Sequence, residues 1–185
     1  MLVAFHFAYA PIDSAAFWNA GLRWGHVLSG IMWIGLLYYF NFVQIPNMPK
    51  IPEENRAPAI GKVIAPAALF WFRWAALATV ITGLLVAYNQ GYLLAALTLG
   101  ATEDFAVGKH VFIGIGMWLA LIMAFNVWFI IWPNQQKALN IGNKYPDLAA
   151  DLKAKAGKTA MLFSRTNTLL SAPMLVAMTG AQNLF

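Results

Sequence analysis

The chain has 185 residues, 61% of them hydrophobic and 10% charged, with a mean hydropathy of +0.62 and a formal net charge of +5. A soluble domain carries about 25% charged residues, so this composition suits lipid rather than water, and we expect one membrane domain over residues 1–185. The absence of cysteine excludes disulfides, thiolate metal sites, iron–sulfur clusters and covalently attached c-type haem, and basic residues gathered in two loops argue against nucleic acid as a partner.

Met1 to Ala10 lacks the basic start of a secretory signal and reads as a short interfacial segment ended by Pro11 and Asp13, with His6 as an ordinary interfacial residue. Four apolar stretches come next, each long enough for a bilayer core of ~30 Å. They run from about Phe17 to Ile45, Val63 to Tyr88, Ala106 to Trp132 and Thr159 to Ala181. The last is the weakest, because Arg165, Asn167 and several Thr and Ser residues interrupt it. Between them, Pro46 to Pro58 is proline-rich and predicts an extended surface loop. Asn89 to Asp104 is partly apolar and predicts an interfacial connection, and Asn134 to Lys158 predicts a basic surface helix broken near Pro146. Lys50, Arg56 and Lys62 in the first loop, with Lys137, Lys144, Lys153, Lys155 and Lys158 in the third, place both loops in the cytoplasm and both termini outside.

The first and third spans share an order of polar residues. His26, Gly30, Trp33, Asn41, Pro46, Asn47 and Lys50 are matched by His110, Gly114, Trp118, Asn126, Pro133, Asn134 and Lys137. The second and fourth echo each other through Leu69-Phe70 with Arg73 and Leu162-Phe163 with Arg165. Shared His, Asn, Pro and Lys in one order mean more than shared Leu. We therefore expect an all-α integral membrane protein: a four-transmembrane-helix bundle of two tandem parallel hairpin repeats, residues 17–88 and 106–181, N-out and C-out.

That symmetry predicts two polar layers. His26 and His110 fall at matched depth near the outer side, each with a glycine (Gly30, Gly114) at i+4 on the same helix face. A glycine one turn from an imidazole leaves a flat gap, and neutral imidazole is a good axial ligand for haem iron. The pair is therefore a candidate for b-type haem between two helices; the plain alternative is helix-to-helix hydrogen bonding with close packing at glycine. Arg73 and Arg165 form an inner layer with Asn41 and Asn126, and no intramembrane carboxylate lies near them in the sequence. They are candidates for an anionic or quinone-like group; alternatively Asn41, Asn126, Ser164, Asn167 and backbone carbonyls satisfy the guanidinium groups. Glu103 and Asp104 are expected to pair with Lys109 across the outer loop.

The segments GHVLSGIMWIGLLYYFNFVQIP, WPNQQKAL and SRTNTLLSAPML resemble the N-terminal membrane domain of the bacterial membrane-bound urate hydroxylase (urate oxidase) family. The resemblance extends from the first span to the fourth. It implies a membrane oxidoreductase of the bacterial inner membrane that hands electrons to a cytochrome c domain fused at the C-terminus. This sequence ends at Phe185 without a Cys-x-x-Cys-His motif, so the expected acceptor is a separate cytochrome or a larger membrane complex. Two functions are expected in consequence: a membrane redox protein holding haem b, or a non-catalytic accessory subunit of a respiratory or photosynthetic complex. No phosphate-binding loop, activated nucleophile or intramembrane carboxylate pair points to a hydrolase or nucleotide enzyme.

Overall fold

The computed structural model describes residues 14–185 and is all-helical over them. The expectations for Met1 to Ala10, including His6, lie outside the described residues. Ser14 caps the first long helix, α1 (Ala15–Tyr38), accepting a hydrogen bond from the Phe17 amide. Then come α2 (Ala65–Asn89), the short α3 (Leu93–Leu97), α4 (Gly108–Phe125), α5 (Trp132–Leu139) and α6 (Ala150–Asn183). With their extensions, three helical runs are long and apolar enough to cross a membrane: Ala15–Lys50, Arg56–Asn89 and Gly108–Leu139. The fourth long helix, α6, is the one whose sequence carries Arg165, Asn167 and the lysines of its first turns.

Three π-helical turns recur for one reason. They span Tyr39–Gln44, Arg56–Ile64 and Asn126–Ile131. Each closes with a bond from an amide to the carbonyl five residues back: Ile45 to Phe40, Ala65 to Ile60 and Trp132 to Val127. The next residue in each case is a proline, Pro46, Pro66 or Pro133. Proline has no amide hydrogen and crowds the carbonyl four residues before it, so the preceding turn widens rather than breaking the helix.

The first cytoplasm-assigned loop is correspondingly not extended. Pro46 sits in the first turn of a helical piece (Ile45–Asn47), a 3₁₀ turn comes after it (Met48–Lys50), and helix resumes at Glu53–Asn55. Proline's fixed φ suits a first helical turn, which reverses the expectation drawn from proline content. The third loop also differs from expectation. The chain turns at Asn140, in the left-handed conformation at φ 49°, and residues from Ala150 onward form the first turns of α6 rather than a separate surface helix.

Side-chain pairs fix the packing. α1 runs antiparallel to α2, with Arg23 at Gln90, His26 at Thr79 and Phe40 at Phe72. α4 and its π-helical turn run antiparallel to α6, with Phe112 at Gly180, Gly116 at Met178 and Asn126 at Asn167. A core of Trp33, Leu37, Phe72, Met123 and Val127 fills the inner half between these pairs.

Candidate functional site: an outer cavity with one imidazole on its wall

In the other half the two helix pairs diverge around a cavity of about 650 Å³, a size typical of small-molecule and cofactor sites. His26, Gly30 and Thr79 line it from the α1–α2 side, and Met117, Met174 and Met178 from the α4–α6 side. Close packing within each pair leaves the space between them. A Cβ on Gly83 would lie 2.8 Å from His26 Cε1, and one on Gly116 3.2 Å from Met178 Cε. Gly30, by contrast, meets only Thr79 Cγ2 at 3.9 Å.

The His26 ring is held by one nitrogen. Nδ1 lies 3.0 Å from the Thr79 carbonyl oxygen and 3.3 Å from Thr82 Oγ1. A carbonyl only accepts, and the Thr82 hydroxyl donates 2.6 Å to the Ala78 carbonyl, so Nδ1 carries the hydrogen. Nε2 of the neutral ring then presents its lone pair, and it has no hydrogen-bond partner among the described residues. Arg23, one turn before His26, stands at the cavity mouth. It donates 3.0 Å to Gln90 Oε1, and Gln90 Nε2 donates 3.0 Å to Asn19 Oδ1. The only ion pair among the described residues is His110 with Glu103, so no carboxylate of those residues pairs with the Arg23 cation. At the floor, fully buried Trp33 has an indole N–H with no acceptor.

His110 has different surroundings. Its Nδ1 is 2.6 Å from Glu103 Oε2, which replaces the expected pairing of Glu103 with Lys109. Its ring stacks on Tyr92 with centroids 5.7 Å apart and planes at 22°. Tyr92 lines the cavity, and His110 stands behind it. The gap expected beside Gly114 is taken by the backbone of α3, because a Cβ there would run into the Ala96 carbonyl oxygen. Burial pushes the Tyr92 phenol above its ordinary pKa, with the nearby Arg23 cation pulling the other way.

The inner polar residues do not converge as one layer. Arg73 lies under aromatic faces, its guanidinium carbon 3.7 Å from the Trp132 ring centroid, 5.6 Å from Phe70 and 5.9 Å from Trp128. Its Nε and Nη1 are buried without an acceptor. These aromatic faces, rather than the expected asparagines and carbonyls, surround the guanidinium. Arg165 is exposed, away from that cage. The asparagines clasp α6 instead of an arginine. Asn41 donates 2.8 Å to Ser164 Oγ and 2.9 Å to the Leu37 carbonyl. Asn126 donates 2.8 Å to Asn167 Oδ1, whose amide donates 2.9 Å to the Met123 carbonyl.

Sequence reasoning passed over Arg23, Thr79, Tyr92 and the three methionines. Arg23 was readable, since a residue three before His26 shares its helix face. The methionines carry no signal in an apolar helix, where Met is ordinary filling.

Searches of curated proteins and of solved structures gave no match. The family model described as urate oxidase N-terminal matches residues 85–183, which include His110, Asn126 and Arg165. With more than half of its length matched, the chain belongs to the urate oxidase N-terminal family.

Proposed function

We propose that this chain is a membrane-embedded redox protein that holds b-type haem in the outer cavity and passes electrons to a separate cytochrome or a larger membrane complex. The observation that carries the reading is the His26 imidazole of the cavity lining, fixed through Nδ1–H to a backbone carbonyl, with Nε2 unpartnered among the described residues. Histidines that bind metals are held in this way, the second nitrogen fixing tautomer and ring orientation. The rest of the cavity suits the same ligand. Gly30 leaves room beside the imidazole, the walls are apolar, and the Arg23 cation at the mouth fits carboxylates such as propionates. Haem would supply reversible one-electron storage there. His26 would hold the iron, Arg23 and Gln90 would orient the carboxylates outward, and Trp33 and Met174 would exclude water from the floor. His110 becomes a residue of the outer wall in this reading, reaching the cavity only through Tyr92.

The finer architecture belongs to the same proposal. α6 is the fourth transmembrane helix, the two hairpins are parallel repeats, and the termini face the outside of a bacterial inner membrane. The π-helical turns before Pro46 and Pro133, at matched places in the two units, support the repeat.

The test is the visible spectrum of the purified protein. A reducible Soret band is expected, and His26→Ala should abolish it. A spectrum unchanged in His26→Ala would remove the assignment. The second reading, an accessory subunit, is favoured by large exposed aromatics on the lateral surface such as Trp71 and Phe129. A chain that is colourless when isolated within a larger native complex would favour it.

A further inference from the structure

We propose that a methionine thioether from the second helix pair, donated by Met117, Met174 or Met178, is the axial ligand opposite His26. This inference rests on the haem reading and names the partner of its one imidazole. The cavity is lined by helices on two sides, and among the described residues His26 is the only imidazole in the lining. A second ligand from the described residues would come across the cavity, from α4, α6 or the Tyr92 corner. The donors available there are few. Thr179, Gln182 and Asn183 offer only neutral oxygen donors, which suit hard cations better than haem iron, and the Thr179 hydroxyl also donates 2.8 Å to the Leu175 carbonyl. The Tyr92 phenol is buried and kept neutral, whereas tyrosine binds iron as phenolate. His110 has Tyr92 between itself and the cavity, and its Nδ1 on Glu103.

Three thioethers remain, all on the wall facing α1 and α2. Thioether sulfur is a soft, weakly accepting group that leaves no unsatisfied donor when buried. It is also an established partner of histidine on haem iron, where it raises the reduction potential. Met117 and Met174 are buried, and Met178 packs its end against Gly116, so each is held at the wall by its neighbours.

The experiment titrates the purified full chain with iron protoporphyrin IX and records ferric and ferrous absorption and magnetic circular dichroism spectra. It compares wild type with Met117→Leu, Met174→Leu, Met178→Leu, His110→Gln and His26→Ala. Leucine keeps the volume and apolarity of methionine, so the fold is retained. The expected result is low-spin haem with a sulfur-to-iron charge-transfer band in the wild type. That band should disappear, and the iron become high-spin, in one methionine variant, with His110→Gln unchanged. Binding that needs His26 but is unaffected in all three methionine variants, or low-spin character lost in His110→Gln, overturns this inference and leaves the haem reading intact. Failure to bind haem, or binding unaffected by His26→Ala, overturns both.

Discussion

The lone pair on His26 Nε2 exists because two threonines of α2 take the other nitrogen. Thr79 offers its carbonyl because it sits one turn from Gly83, whose missing side chain lets the imidazole lie against the helix. Gly83→Ala should therefore act on the ligand site without replacing its donor atom. The added methyl would stand 2.8 Å from His26 Cε1, so the ring must turn off Thr79. We expect at least a tenfold loss in haem affinity by spectrophotometric titration, with the helical circular dichroism retained. A second prediction concerns Tyr92. Its phenol is raised above the ordinary value of about 10. Below that value both folded and unfolded chains are protonated, and stability is unaffected. As pH rises through it, the unfolded chain loses the proton first and stability falls. Thermal stability should thus begin to fall above about pH 10, and Tyr92→Phe should reduce that loss. A melting profile of equal alkaline slope in both proteins would refute the assignment.

At the scale of elements, the π-helical turns decide which face each helix presents. One extra residue per turn rotates the helix beyond it by about 100°, and the turn before Pro133 sets Trp132 over Arg73. Pro133→Ala should let the turn tighten and move Trp132 off the guanidinium. The cation–π contact is worth roughly 0.5–2 kcal/mol, so Trp132→Leu should destabilise the wild type by about that much and the Pro133→Ala protein by much less. Thermal unfolding in detergent, read as a double-mutant cycle, measures the difference. The clasp on α6 belongs to the same scale. Asn167 is fully buried and both accepts from Asn126 and donates to Met123. Asn167→Leu removes both bonds inside an apolar core and should cost about 1 kcal/mol, the usual worth of such bonds in membrane bundles.

In the proposed topology the whole molecule is polarised along the membrane normal. α6 is about 50 Å long at 1.5 Å per residue, longer than a bilayer core of ~30 Å, so as the proposed fourth span it would carry its lysine-bearing first turns past the lipid. At the opposite end α3, Glu103 and His110 cap the cavity. Since the chain contains no cysteine, single introduced thiols report sidedness directly. Lys153→Cys should be labelled by an impermeant maleimide only in inverted vesicles, and Thr102→Cys only in right-side-out ones. The opposite pattern would invert the proposed orientation of the cavity.

Taken by itself, the sequence determined the long elements. Its apolar fraction suits lipid, three of its long stretches became helices long and apolar enough to cross a membrane, and the interruptions at Arg165 and Asn167 marked α6 as the long helix unlike those three. Those are sums over neighbouring residues, and neighbours are what a linear reading sees. Which polar group meets which was decided by the tertiary structure. His26 and His110, equal in their local spacing to glycine, differ because α3 folds against Gly114 and brings Tyr92 to His110, while Gly30 meets only the Thr79 methyl. Arg73 finds aromatic faces and the asparagines find α6 because proline-widened turns rotate whole helix faces. That rotation is a property of helices packed together, and spacing along one helix does not contain it.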